Sequence, residues 1–109
     1  MHFYKYQGTG NDFVVVDDRA KTFGLNQEAI ALLCHRRFGI GADGFMLLQE
    51  AEGYDFRMVY YNSDGTEGTM CGKGGRCLVR FAADLGIVTE KAHFIAVDGP
   101  HLAYITPET

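Results

Sequence analysis

The chain has 109 residues, 47% hydrophobic and 22% charged, with a formal net charge of −4. That make-up fits one globular domain with a modest core. The acidic balance and the lack of any Lys/Arg run exclude a phosphate-tracking nucleic-acid surface, and no stretch approaches the roughly eighteen continuous apolar residues of a membrane span. The opening MHFYKYQGTGNDF has no basic and no apolar leader region, which reads as a cytoplasmic protein whose three cysteines are reduced thiols.

Residues 2–7 alternate aromatic and polar side chains, as a half-buried strand does. After the loop GTGN comes FVVVD, a β-branched run that predicts a more fully buried strand. A dinucleotide-type reading of the glycines is weak, because a strand follows where that motif needs a helix. Asn26 is placed to cap a helix running to about residue 37, with Ile30, Leu33, Cys34 and Phe38 on one stripe. Two further strands are expected at 45–50 and 55–61; in the second, Phe56, Met58 and Tyr60 face one way while Arg57, Val59 and Tyr61 face the other. NSDG, residues 62–65, is a turn by composition.

A second helix is expected from about residue 74 to 85, stopped by Gly86, with strands at 94–97 and 102–105 flanking a DGP turn. Leu78, Val79, Phe81, Ala82, Ala83 and Leu85 leave this helix almost no polar face beyond Arg76, Arg80 and Asp84. A helix apolar nearly all round is buried nearly all round, so it should be the core element about which the strands wrap. The sequence stops at TPET soon after a strand, which reads as an interrupted architecture.

The segment TMCGKGGRC sets Cys71 just ahead of that second helix, beside Gly72, Gly74 and Gly75. Free backbone N–H groups and the macrodipole at a helix start favour negative charge. A thiol there drops from a pKa of about 8.5 towards roughly 3.5–7.5. Glycines let the same backbone turn sharply and present bare N–H groups, so it could also bind a carboxylate. Spacing alone supports a Gly-rich turn with a small buried cysteine equally well. Cys77 follows six residues later, about 240° round a helix, and Cys34 lies on the first helix's apolar stripe; both read as core packing. His2, His35, His93 and His101 show no metal-ligand spacing, and Tyr4, Tyr6, Tyr60 and Tyr61 read as core or cross-strand residues.

GTGNDFVVVD, RRFGIGADGFMLL, YNSDGTEGTMCGKGGRC and RFAADLG, in that order from about residue 4 to 86, resemble the N-terminal half of the diaminopimelate epimerase family. The cysteine segment is the most specific of the four. The resemblance implies an α+β fold, a curled and mostly antiparallel sheet wrapped around a central apolar helix. Two such domains flank the active site in this family, so residues 1–109 would be the N-terminal domain and the C-terminal domain would be absent. The implied activity is inversion of one α-carbon of diaminopimelate between the LL and meso forms, in lysine and peptidoglycan precursor synthesis. The family needs no pyridoxal phosphate, metal or other cofactor.

Inversion requires proton removal on one face of a carbon and delivery on the other, here by one cysteine from each domain. By resemblance Cys71 is one of that pair, Asn11 and Asn62 bind substrate, and the backbone N–H groups of Gly72 and Lys73 hold the reacting carboxylate. An amide both donates and accepts, which suits a zwitterionic amino acid. Two positions depart from the family pattern. The usual CGNG reads Cys71-Gly72-Lys73-Gly74 here, and a glutamine carried by some members is Gly44. Neither Cys34 nor Cys77 can serve as the second catalytic thiol, so this chain alone is expected to be inactive. Two other readings stay open. One is a proline racemase-like or phenazine-biosynthesis-like isomerase of the same fold, against which Asn11, Asn62 and the cysteine segment argue together. The other is a non-catalytic domain that associates with itself, as a homodimer, through apolar surface left uncovered.

Overall fold

Runs of alternating and continuous apolar residues resolve, in a computed structural model describing residues 2–8, 10–68 and 72–105, into six strands and two helices. In chain order these are β1 (Tyr4–Gly8), β2 (Asn11–Asp17), α1 (Gln27–Cys34), β3 (Gly44–Gln49), β4 (Phe56–Asn62), α2 (Gly72–Asp84), β5 (Lys91–Ala96) and β6 (Gly99–Tyr104). The strands form one sheet in the order β1-β2-β3-β4-β5-β6. Three neighbouring pairs, β1–β2, β3–β4 and β5–β6, are antiparallel hairpin-type pairs. The other two, β2–β3 and β4–β5, are parallel. Parallel neighbours need a crossover, and α1 and α2 supply the two.

The crossovers explain why β2 and β3 read as unbroken apolar runs. Each strand sends alternate residues to opposite faces, and here a helix covers each face. Val14, Val16, Phe45 and Leu47 pack with Ile30 and Cys34 of α1. Phe13, Val15, Met46 and Leu48 pack instead with Cys77, Leu78, Phe81 and Ala82 of α2, joined by Phe56, Met58 and Phe94. Phe13, Phe45, Phe56 and Phe81 are fully buried, each side chain contributing about 1.5–3 kcal/mol by leaving water.

As its sequence foretells, α2 is the central element, with Arg76 and Asp84 among its few exposed residues. Tyr4 and Tyr6 of β1 meet Phe81 with ring centroids 5.3 and 5.5 Å away, and the Tyr6 hydroxyl donates to Asp84. At the other side of the sheet Ala103 of β6 packs on the same cluster. A flat six-stranded sheet is about 24 Å across and a helix about 10 Å thick, so both outer strands reach the α2 cluster only because the sheet curls.

Three local features differ from the sequence reading. First, α1 stops at Cys34, because His35 adopts extended geometry (φ −68°, ψ 126°). Its Nδ1 accepts from the backbone N–H groups of Arg37 and Phe38 at 3.1 and 3.3 Å, which replaces the next helical turn. Phe38 is therefore not on the buried stripe; it is 72% exposed. Second, α2 begins at Gly72 rather than Gly74. Third, the β5–β6 turn is Val97–Asp98, with Gly99 and Pro100 already paired to Ala96 and Ile95. His101 Nε2 and Asp98 Oδ1, 2.8 Å apart, tie that turn.

Candidate functional site

One end of the sheet gathers the residues of interest. The register aligns Phe13, Gly44 and Asn62 in a row across β2, β3 and β4. That row marks the start of β2 and β3 and the end of β4. Because β4 and β5 are parallel, α2 must begin at this same end and run back along the sheet. Alternation from Phe13 and Met58, both on the α2 face, puts Asn11 and Asn62 on that face too. The N–H groups of Gly72 and Lys73 lie in the first turn of α2 and belong to its positive end. Cys71, the predicted proton-transfer residue, lies outside the described residues.

Asn11 opens β2 opposite Gly8. Its Nδ2 donates to Asp43 Oδ2 at 3.2 Å, and the same oxygen accepts the Asp12 N–H at 2.9 Å. Asp12, only 9% exposed, lies among apolar residues of β2 and is held by two cations. Arg36 binds it bidentately at 3.0 and 2.9 Å, and Lys5 Nζ lies 3.0 Å from Oδ2. Arg36 also reaches Asp43 Oδ1 at 3.0 Å, closing the network. The Arg36 hydrogen bonds, helped by Lys5 against the opposing effect of burial, hold the Asp12 carboxyl far below the usual carboxylate range. The network fixes the β1–β2 turn against the segment leading into β3, and a cleft of about 330 Å³ opens there beside Asn11.

None of Lys5, Asp12, Arg36 and Asp43 stands out in sequence as a site residue. The available signals were an acid inside an otherwise apolar β2 run and the charged pair in RRFGIGAD.

Asn62 ends β4, and its turn residues are bonded as composition suggests. The Asn62 N–H donates to Thr66 O at 2.8 Å and its Nδ2 to Thr66 Oγ1 at 3.2 Å. Thr66 in turn donates through N and Oγ1 to Asp64 Oδ1, at 2.9 and 2.6 Å. Gly65 has φ 86°, and a Cβ there would sit 2.0 Å from the Gln27 carbonyl oxygen at the start of α1. The turn is thus glycine for two independent reasons, conformation and space.

The remaining candidates separate cleanly. Cys34 and Cys77 are buried in the two core clusters, and burial pushes the Cys34 thiol up. Both are packing residues, as expected. Among the described residues, no group of three His, Cys, Asp or Glu side chains is arranged to hold a metal, and no helix is long and apolar enough to cross a membrane.

Solved structures with this architecture include the PhzF-family phenazine biosynthesis protein of Enterococcus faecalis, with a TM-score of 0.73 at 15% identity over 95% of this chain and 40% of that one. A methylitaconate-delta-isomerase gives a TM-score of 0.69 at 10% identity, over 92% and 55%. The class is therefore the α+β fold of these proteins, a curled sheet on a buried helix. Residues 3–105 match the diaminopimelate epimerase family model, and the chain belongs to that family. It is 58% identical to the diaminopimelate epimerase of Flavobacterium psychrophilum over 106 residues, 96% of this chain and 41% of that protein. With the Aquifex aeolicus enzyme of the same name it shares 42% identity over 109 residues, 91% and 39%. The chain thus spans about two fifths of the length of these relatives.

Proposed function

We propose that this chain is the N-terminal domain of a diaminopimelate epimerase and supplies one wall of its proton-transfer site. The observation that carries the reading is the convergence, at one end of the sheet and on one face, of Asn11, Asn62 and the beginning of α2. The two amides grip the ammonium and carboxylate groups of the amino acid. The N–H groups of Gly72 and Lys73 donate to the reacting carboxylate and, as the α-proton leaves, stabilise the negative charge that spreads onto it. Cys71, as a thiolate, removes or returns the proton on one face, and a thiol from the C-terminal domain serves the other. Lysine at 73, where the family usually has asparagine, keeps the backbone donor.

The test is conversion of LL- to meso-diaminopimelate by the complete protein, followed by chiral chromatography, alongside the 109-residue chain. The complete protein should interconvert the two and the short chain should not. Absence of conversion by the complete protein would refute the assignment. A second reading, a domain that associates with itself, draws on one specific feature. Leu102 and Tyr104 on β6 are 56% and 73% exposed beside a groove of about 270 Å³ that Val79 and Phe94 also line. Sedimentation of the chain at micromolar concentration separates monomer from dimer.

A further inference from the structure

Gly44 sits in the middle of the Phe13–Gly44–Asn62 row, on the α2 face, at the end of the sheet where the proposed site lies. The space above it is taken. A Cβ at this position would lie 2.7 Å from the Tyr60 hydroxyl oxygen and 3.0 Å from Cε2 and Cζ of the same ring. Tyr60 itself pairs with Met46, one same-face row further into the sheet. Same-face rows are about 6.6 Å apart, two residues at roughly 3.3 Å each. The phenol therefore does not stand over its own row; it leans outward by one, and its hydroxyl ends over the row that contains Asn62. Phe13 supports the ring edge-on, with centroids 6.3 Å apart and planes at 65°. The ring is part of the core edge, while its polar end is carried to the rim where the substrate-binding amides are.

We propose that Tyr60 is a substrate-contacting, specificity-determining residue of this site. Its hydroxyl fills the volume that a side chain at position 44 would occupy and hydrogen-bonds a charged end of the zwitterionic amino acid. Position 44 is glycine to leave room for it. A phenol suits the task, since it donates to a carboxylate and its ring loses little conformational freedom when held. The inference rests on the proposed epimerase function, and it assigns a recognition role to a residue that sequence reads as packing. It also makes positions 44 and 60 a reciprocal pair: one can project into the site only where the other withdraws.

The experiment uses the complete protein and reads KM and kcat for LL-diaminopimelate together with the melting temperature. Tyr60→Phe should raise KM roughly ten- to hundredfold, as loss of a hydrogen bond to a charged group does, with a much smaller change in kcat and more than any change in the melting temperature accounts for. Gly44→Ala should lower the melting temperature and raise KM, because the new methyl displaces the phenol. Adding Tyr60→Leu to Gly44→Ala should cost no melting temperature beyond that of Tyr60→Leu alone, because the clash is gone, and should not restore KM. An active wild type with Tyr60→Phe kinetics equal to its own overturns this inference alone. Equal losses in the Tyr60→Leu and Tyr60→Phe melting temperatures, with KM tracking stability, would reduce Tyr60 to packing and overturn it too. A wild type that turns over no diaminopimelate sinks the proposed function, and this inference with it.

Discussion

Replacing Asp12 by Asn keeps the volume of the side chain and removes its charge, leaving Arg36 and Lys5 facing a neutral amide. Breaking one partner out of a fully buried ion pair costs roughly 3–5 kcal/mol. Here Asp12 is buried but the Arg36 and Lys5 side chains are 59% and 38% exposed. Solvent screening of those ends brings the expected cost to about 2 kcal/mol. For a domain of this size that is a fall in melting temperature of about 8–16 °C, read by circular dichroism at pH 7.

The charge gives the effect a pH signature. The folded carboxyl is held well below its ordinary pKa of 3.8, so its contribution is complete above that value and drains away as pH falls through it towards the folded pKa. Between pH 7 and pH 3 the unfolded chain gains this proton while the folded chain does not. At 1.36 kcal/mol per pH unit below 3.8, the wild type loses about 1 kcal/mol of the Asp12 contribution, or somewhat less where solvent screens the pair. The gap between wild type and Asp12→Asn should therefore narrow by about half at pH 3. A gap of under about 2 °C at pH 7, or one that stays constant down to pH 3, would refute the reading of Asp12 as a charge-held strut.

Gly65→Ala forces a methyl to within 2.0 Å of the Gln27 carbonyl at a positive φ, so the Asn62 turn must separate from α1. The expected loss is at least about 2 kcal/mol in urea unfolding, and an unchanged midpoint would contradict the packing described. Cys34→Ala and Cys77→Ala, singly or together, should leave turnover of the complete protein intact, because both thiols are core fillers. Loss of activity without loss of stability in either variant would bring that thiol into the chemistry.

Much of the fold was legible because period-two alternation and helix stripes are properties of the residues themselves. FVVVD had to be covered on both faces, Asn26 does cap α1 by accepting from the Ala29 N–H at 2.9 Å, and α2 is buried on nearly every side. The boundaries that shifted did so where a side chain competes with the backbone pattern. His35 ends α1 by capturing two N–H groups, which no stripe of apolar residues reveals. The charged network was invisible for a different reason. Lys5, Asp12, Arg36 and Asp43 come from three segments, and only the parallel pairing of β2 with β3 brings Asp12 beside Asp43. Asn11 and Asn62 were singled out by family resemblance, since each alone reads as a turn former; Asn62 is indeed both a turn residue and a site candidate. Gly44 looked like a missing contact until the Tyr60 ring was found in its place.

The central claim is that Cys71, the residue before Gly72 in the sequence, moves the α-proton of a bound amino acid. Incubating LL-diaminopimelate in D₂O with the complete protein and following its mass tests this most directly. One deuteron should appear at an α-carbon with the native protein and none with a folded Cys71→Ala variant; undiminished exchange by that variant would contradict the account.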